Sequence, residues 1–187
     1  MTVWFTSDTH FLHKKVSALR GFDTPDEHDN FVIDSWNQYV REDDIVWLLG
    51  DLGIAKSDTD ILARAARLNG RKQLIAGNHD SVHPANRKAR QHQRQWLEVF
   101  ESVQAFGKAS VCGTDFLLSH FPYEGDRGED RATQYRLRDE GRPLLHGHLH
   151  CQRRLMSAER KIVHVGLDAW DLLPVKDTHI KEIFTLA

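Results

Sequence analysis

Twelve histidines stand in a chain of 187 residues, and those that matter for chemistry are placed rather than scattered. They recur with Asp and Asn immediately after short apolar runs. Asp8-Thr9-His10 follows Val3–Thr6, Gly50-Asp51 follows residues 44–49, and Gly77-Asn78-His79-Asp80 follows residues 73–76. Ser119-His120 and Gly147-His148-Leu149-His150 end two further runs. Imidazole, carboxylate and amide oxygen suit divalent ions such as manganese, iron, zinc or nickel better than a thiol-seeking ion. Asp8 and His10 are expected on one side of an extended backbone, because strand side chains repeat every two residues. Singly, each cluster is no more than ordinary turn chemistry. Together, five apolar runs with donors at their ends describe a site.

The elements that must carry these residues alternate. Residues 26–40 place Phe31, Val32, Trp36, Tyr39 and Val40 near helical spacing, which predicts an amphipathic helix with its aromatics in the core. Residues 57–68 predict a second helix, with Ile61, Leu62, Ala65 and Leu68 inward, Arg64 and Arg67 outward, and Ser57 or Asp58 as cap. Residues 84–96 read as a basic, solvated helix. Residues 100–120 read as β structure with a turn at Cys112-Gly113-Thr114-Asp115, residues 161–165 as a hairpin-like return, and residues 175–184 as a closing helix. Strand and helix in alternation predict a layered α/β sandwich, in which ligands collect at the carboxyl ends of strands. Gly77 is expected to let the chain turn sharply there. Residues 121–142 are polar and broken by Gly125, Gly128 and Gly141, and a loop of this length predicts a substrate-facing flap.

Composition bounds the function. Hydrophobic residues at 40%, charged residues at 28% and a formal charge of −2 describe a soluble globular protein without a general basic field, so bulk attraction to long nucleic acid is not indicated. The start of the chain lacks a signal-peptide pattern and no apolar run reaches membrane-spanning length, so a cytoplasmic enzyme without membrane partners is expected. Cys112 and Cys151 read as reduced thiols. The length predicts one domain over residues 1–187, without a large cap.

The order Asp-x-His, Gly-Asp, Gly-Asn-His-Asp, Ser-His and Gly-His-x-His resembles the calcineurin-like metallophosphoesterase family over residues 8–150. The stretch Val165-Gly166-Leu167-Asp168-Ala169-Trp170 is similar to the end of its small bacterial and phage members. The resemblance implies a four-layer αββα sandwich of mixed sheets with a dinuclear metal site at the strand carboxyl ends. It implies that Asp8, His10, Asp51 and His150 hold one divalent ion, that Asp51, Asn78, His120 and His148 hold the other, and that Asp51 bridges them. Manganese is the expected metal, with iron, zinc, nickel or magnesium as alternatives. The implied reaction is hydrolysis of phosphate esters, in particular phosphodiesters of nucleotides, by a metal-bridging hydroxide, with His79 as the acid on the leaving oxygen. An open, uncapped cleft would accept diesters. His13 is a candidate for contact with the substrate, His146 is expected behind the ligands, and His28, His83, His92, His164 and His179 are expected to be surface or structural. Two alternatives stand beside this reading. One is end-processing of nucleic acid along Arg87-Lys88-Ala89-Arg90 and Arg153-Arg154, and the other is a catalytically silent protein-binding scaffold of the same fold. Oligomeric state is left open.

Overall fold

Parallel strands joined through helices build the first half of the chain. β1 (Val3–Thr6), β2 (Ile45–Leu48) and β3 (Arg71–Ile75) are parallel neighbours. Between them lie α1 (Lys14–Leu19) and α2 (Pro25–Tyr39), then α3 (Asp58–Ala65). The longer helices start where their caps dictate. Thr24 accepts the Glu27 N–H ahead of Pro25, and Ser57 accepts the Thr59 N–H. α4 (Ala89–Trp96) then leads into β4 (Ser102–Gln104), parallel to β3. The computed structural model describes residues 1–126, 128–130 and 132–185.

The second sheet opens with a tight hairpin. β5 (Phe106–Val111) and β6 (Thr114–Ser119) are joined through Cys112 and Gly113, both left-handed, as a two-residue hairpin turn demands. β7 (Leu144–His146) lies parallel to β6, and β8 (Leu155–Ser157) and β9 (Ile162–His164) form the expected hairpin-like return, with β9 parallel to β7. β10 (Val175–Lys176) pairs antiparallel with β1, and α5 (Asp177–Thr185) closes the chain. The sheets run β10-β1-β2-β3-β4 and β5-β6-β7-β9-β8.

Side-chain alternation assigns the layers. Phe5, Ile75, Phe116, Leu118, Leu145 and Val163 fill the space between the sheets, joined by Ile180 of α5. Trp4, Val46, Leu48 and Leu74 point the other way, under Val32, Ile33, Trp36, Ile61, Leu62 and Trp96 of the helices. Leu117, Leu144 and Ile162 face outward from the second sheet. There the αββα sandwich thins: the cover is Tyr123 and Leu137 of the 121–142 segment, whose regular structure is a 3-10 turn at Thr133–Tyr135.

Two expectations are corrected. Phe31 and Tyr39 are 46% and 54% exposed, while Ile33 is buried. The inward stripe of α2 runs through Val32, Ile33 and Trp36, and the two aromatics fall to its side. The basic helix begins only at Ala89, after turns over residues 84–88. No described helix is long and apolar enough to cross a membrane.

Candidate metal centre

At the carboxyl ends of β1 and β2 the ladder continues past the regular strands. Asp8 N–H donates to Gly50 O (2.9 Å), His10 N–H to Asp51 O (3.1 Å) and Phe11 N–H to Leu52 O (2.9 Å). The backbone here is not extended. Asp8, His10 and Asp51 have φ of 60°, 49° and 54°, in the left-handed region. Two residues of extended strand would part Asp8 and His10 by roughly 6.6 Å. The left-handed residues gather that length, so that donors of Asp8, His10 and His150 lie within 4.8 Å of one another. His148 and His150 are left-handed in turn, at φ of 73° and 48°. The chain turns after Gly77 as expected, without a left-handed φ at the glycine. A Cβ there would lie 2.3 Å from Asp51 N and Oδ1, so glycine is required for close approach of the two loops.

The structure brings every predicted ligand into one cluster. Beside the Asp8, His10 and His150 group, donors of Asp51, His120 and His148 form a second group within 4.8 Å. Asp51 Oδ2 lies between the groups, 3.7 Å from His10 Nε2 and 3.5 Å from His120 Nε2. Asn78 Oδ1 is 3.1 Å from His120 Nε2. His79 stands over this floor, its ring 46% exposed and Nε2 3.9 Å from Asp51 Oδ2, while its backbone N–H donates to Asp51 Oδ1 (2.9 Å). The His13 ring centres 5.3 Å from that of His10. His146 is buried behind, its ring 5.4 Å from that of His164, with Nδ1 donating to Gly147 O (2.9 Å). His28, His83 and His164 are buried structural groups.

A further layer of residues holds the donors, and sequence reasoning had not placed it. His150 Nδ1 donates to Asp168 Oδ2 (2.9 Å), and Arg20 grips both Asp168 oxygens at 2.9 Å. The same guanidinium donates to Asp8 O (2.8 Å), Thr9 O (3.1 Å) and His28 Nε2 (3.0 Å), and His28 Nδ1 passes the chain to buried Asp29 at 2.9 Å. Asp80 accepts the N–H groups of Gly77 (2.7 Å), Leu52 (2.9 Å) and Asp51 (3.1 Å), tying two site loops together. His148 Nε2 lies 3.2 Å from Asp126 Oδ1. Asp80 and Asp168 sit inside stretches whose pattern was visible. Arg20 and Asp126 carry no local signal.

The donor set fits cations. His120 Nδ1 donates to Leu49 O (2.7 Å), so in the neutral ring Nε2 carries a lone pair, and it faces the oxygen of Asn78. His150, donating through Nδ1, likewise turns a lone pair toward Asp8 Oδ1 at 3.6 Å. Acceptors pointed at acceptors in a buried pocket are unfavourable unless a cation lies among them. The ring nitrogens of His10 and His150 lie 2.9 Å apart and those of His120 and His148 3.2 Å apart. Ligands about 2.0–2.1 Å from one ion would stand roughly 3.0–3.4 Å from each other, close to these spacings. Burial lowers the His10 pKa well below its ordinary value and that of His120 to about 3, leaving neutral imidazoles. Burial would raise Asp8, but the neighbouring His150 holds it well below the usual carboxylate range. Burial, Asp8 and Asp80 push Asp51 well above that range, a cost that positive charge would remove.

The site floors a cleft of about 920 Å³, whose lining includes Val16, Leu19, Leu172, Phe121, Asp126 and Ala132. Arg87, Lys88, Arg90, Arg153 and Arg154 are not among its described lining residues. Arg154 instead donates to Ala169 O and pairs with Asp171.

Residues 1–167 match the calcineurin-like phosphoesterase superfamily domain. The gene 66 protein of Mycobacterium phage L5 is 44% identical over 186 residues, spanning 93% of this chain and 90% of the phage protein. An uncharacterised protein of Methanocaldococcus jannaschii is 28% identical, over 92% of this chain and 85% of its own length. The crystal structure of a protein of unknown function from Aquifex aeolicus shares the fold with a TM-score of 0.73 at 22% identity, covering 97% of this chain and 98% of that one.

Proposed function

Because the chain belongs to the calcineurin-like phosphoesterase superfamily, we propose that it hydrolyses phosphate esters, with phosphodiesters of nucleotides as its substrate class. The observation that carries this reading is the position of Asp51 Oδ2 at the floor of one cleft, 3.7 Å from His10 Nε2 of one donor group and 3.5 Å from His120 Nε2 of the other. Asp8, His10, Asp51 and His150 would hold one divalent ion, and Asp51, Asn78, His120 and His148 the other. Nitrogen and oxygen donors without sulfur favour manganese or iron over a soft ion. Such a pair, when bound, supplies positive charge toward a phosphate anion and makes water acidic enough to ionise near neutral pH.

The remaining work belongs to side chains of this chain. His13 Nδ1 accepts the Val16 N–H at 3.3 Å, so the neutral ring carries its proton on Nε2, a donor for a phosphate oxygen. His79 lines the cleft without belonging to either donor group, as suits a group that gives its proton to the leaving oxygen. Burial and the neighbouring His13 and His150 lower its pKa, which makes it a stronger acid, and a phosphate anion beside it favours the protonated form. Val16, Leu19 and Leu172 offer an apolar wall for the sugar or base of a nucleotide.

The test is metal-stripped protein reconstituted with manganese and assayed on mononucleotides, cyclic nucleotides, dinucleotides and short single strands. Metal-dependent turnover fastest on cyclic nucleotides or dinucleotides is expected. A protein that holds two metal equivalents and turns over none of these refutes the reading. A preference for strands that collapses steeply with salt would replace it with end-processing.

A further inference from the structure

The segment 121–142 contains a carboxylate that a surface loop has no ordinary reason to bury. Asp126 has a side chain only 2% exposed, between His148 Nε2 at 3.2 Å and the Arg136 guanidinium at 3.5 Å. Burying a charge is costly unless it is paired and hydrogen-bonded. The Arg136 side chain is 4% exposed and donates to Pro122 O (3.1 Å) and Gly125 O (2.9 Å), which brackets the turn leading to Asp126. Its guanidinium lies 5.7 Å from the Phe121 ring centre, and that ring packs edge-on against His120 and His148 at 5.0 and 4.8 Å. The fold of the segment therefore converges on one histidine.

We propose that Asp126 is a positioning residue for the second ion: its carboxylate accepts a hydrogen bond from the Nε2–H of His148, turns Nδ1 toward the ion, and makes the 121–142 segment part of the metal centre. This rests on the two-ion reading above. His148 needs such a partner. The ring of His120 is fixed by Leu49 O and that of His150 by Asp168; the His148 N–H donates to Asp8 Oδ2 (3.0 Å), which fixes its backbone, and the group beside its ring Nε2 is Asp126. Its Nδ1 is the nitrogen on the His120 side, 3.2 Å from His120 Nε2, which leaves Nε2 for Asp126. A carboxylate on the far nitrogen of a ligating imidazole sets its tautomer and orientation and raises its basicity, and losing one typically weakens metal binding about 10–100-fold. The coupling runs both ways. Filling the second ion position stabilises the loop conformation, and opening the loop loosens the ion.

The experiment is titration of manganese into metal-stripped wild type, Asp126→Ala, Asp126→Asn, His148→Ala and the Asp126→Ala/His148→Ala double variant, following free manganese by paramagnetic resonance. Wild type should take two equivalents. Asp126→Ala should weaken one equivalent about 10–100-fold and leave the other unchanged, and Asp126→Asn, which keeps an oxygen able to accept from Nε2, should recover most of the loss. The double variant should bind no more weakly than His148→Ala alone. Proteolytic cleavage within residues 121–142 should slow on adding manganese to wild type but not to Asp126→Ala. Wild-type binding of both equivalents by Asp126→Ala, or additive losses in the double variant, overturns the proposal. Fewer than two equivalents in wild type overturns the two-ion reading itself, visible before any variant is compared.

Discussion

Two histidines of one turn, His148 and His150, are backed by the same device on different foundations. Behind His150 stand Asp168 and Arg20, and Arg20 also holds the backbone at Asp8 and Thr9 and continues through His28 to buried Asp29 under α2. Behind His148 stand Asp126 and Arg136, and the described backbone bonds of Arg136 go to carbonyls of its own segment. One support is rooted in the helical side of the sandwich, the other in the thin outer cover of the second sheet. On the proposed two-ion reading, the first ion would be held as firmly as the fold itself, and the second would be open to tuning or loss without unfolding of the protein.

Asp51→Asn is expected to give the largest effect, because the proposed reading has this side chain serve both ions, one in each half of the site, and its Oδ2 lies 3.7 Å from His10 and 3.5 Å from His120. Bound metal should fall from two equivalents toward none, and turnover should drop on the order of 10³-fold or more, beyond the roughly 10–100-fold expected for either outer partner. A variant that keeps two equivalents and near-normal turnover breaks the sharing on which the comparison depends.

His79→Ala comes next and tests whether a residue between the halves belongs to neither. Both metals should stay. Activity should fall about 10²–10⁴-fold where the leaving group is a sugar hydroxyl, and only modestly on a nitrophenyl ester, whose anion needs no proton. A uniform loss would mean that His79 holds the phosphate, and loss of metal would place it in one of the halves and make His13 the next proton donor to test.

Unfolding in urea separates the two arginines. Arg20→Ala leaves Asp168 without its bidentate partner and frees two site carbonyls, and should cost on the order of 2–3 kcal/mol, below the roughly 3–5 kcal/mol of a fully buried pair because the Asp168 side chain is 19% exposed. Arg136→Ala should open its segment locally and cost less than about 1 kcal/mol of global stability. Equal penalties would show both supports to be equally rooted.

The smallest effect is a pH dependence. Burial would raise the Asp168 pKa, but His150 and Arg20 hold it far below the ordinary 3.8. The unfolded chain therefore binds this proton first as pH falls, so the stabilisation is complete above about pH 4 and lost progressively below it. Asp168→Asn should be less stable than wild type at pH 7, with the gap in urea midpoint closing toward pH 2. A gap that does not change with pH would mean that the charge on Asp168 contributes nothing.

Why the ligands were legible and their supports were not follows from distance along the chain. Asp8, Asp51, Asn78, His120 and His148 each follow an apolar run, so local pattern placed them at strand ends. Arg20 and Asp168 are 148 residues apart, and nothing local to either announces the other. Asp126 sits in a stretch read as a substrate-facing flap, and nothing in its polar sequence marks this carboxylate as one whose side chain is buried. The extended reading of Asp8 and His10 failed for a related reason. Their φ values are set by the need to run beside the loop after β2 while aiming at a common point, and strand alternation describes only the isolated chain. The sandwich was readable from the alternation of elements and the 121–142 loop from its length and glycines, but not that this loop covers Leu144 and Ile162, since Tyr123 and Leu137 carry no period.

The left-handed backbone at Asp8, His10, Asp51, His148 and His150 has an evolutionary consequence. Each non-glycine residue held there carries a strain on the order of 1–3 kcal/mol, least for Asp, which a glycine would relieve. A lineage that kept the shape as a scaffold and no longer needed hydrolysis would drift at these positions toward glycine or asparagine and become more stable as it did so. Persistence of side chains that the backbone disfavours, in an organism's copy of this protein, is therefore a mark of continuing selection for the chemistry, readable without knowing the substrate.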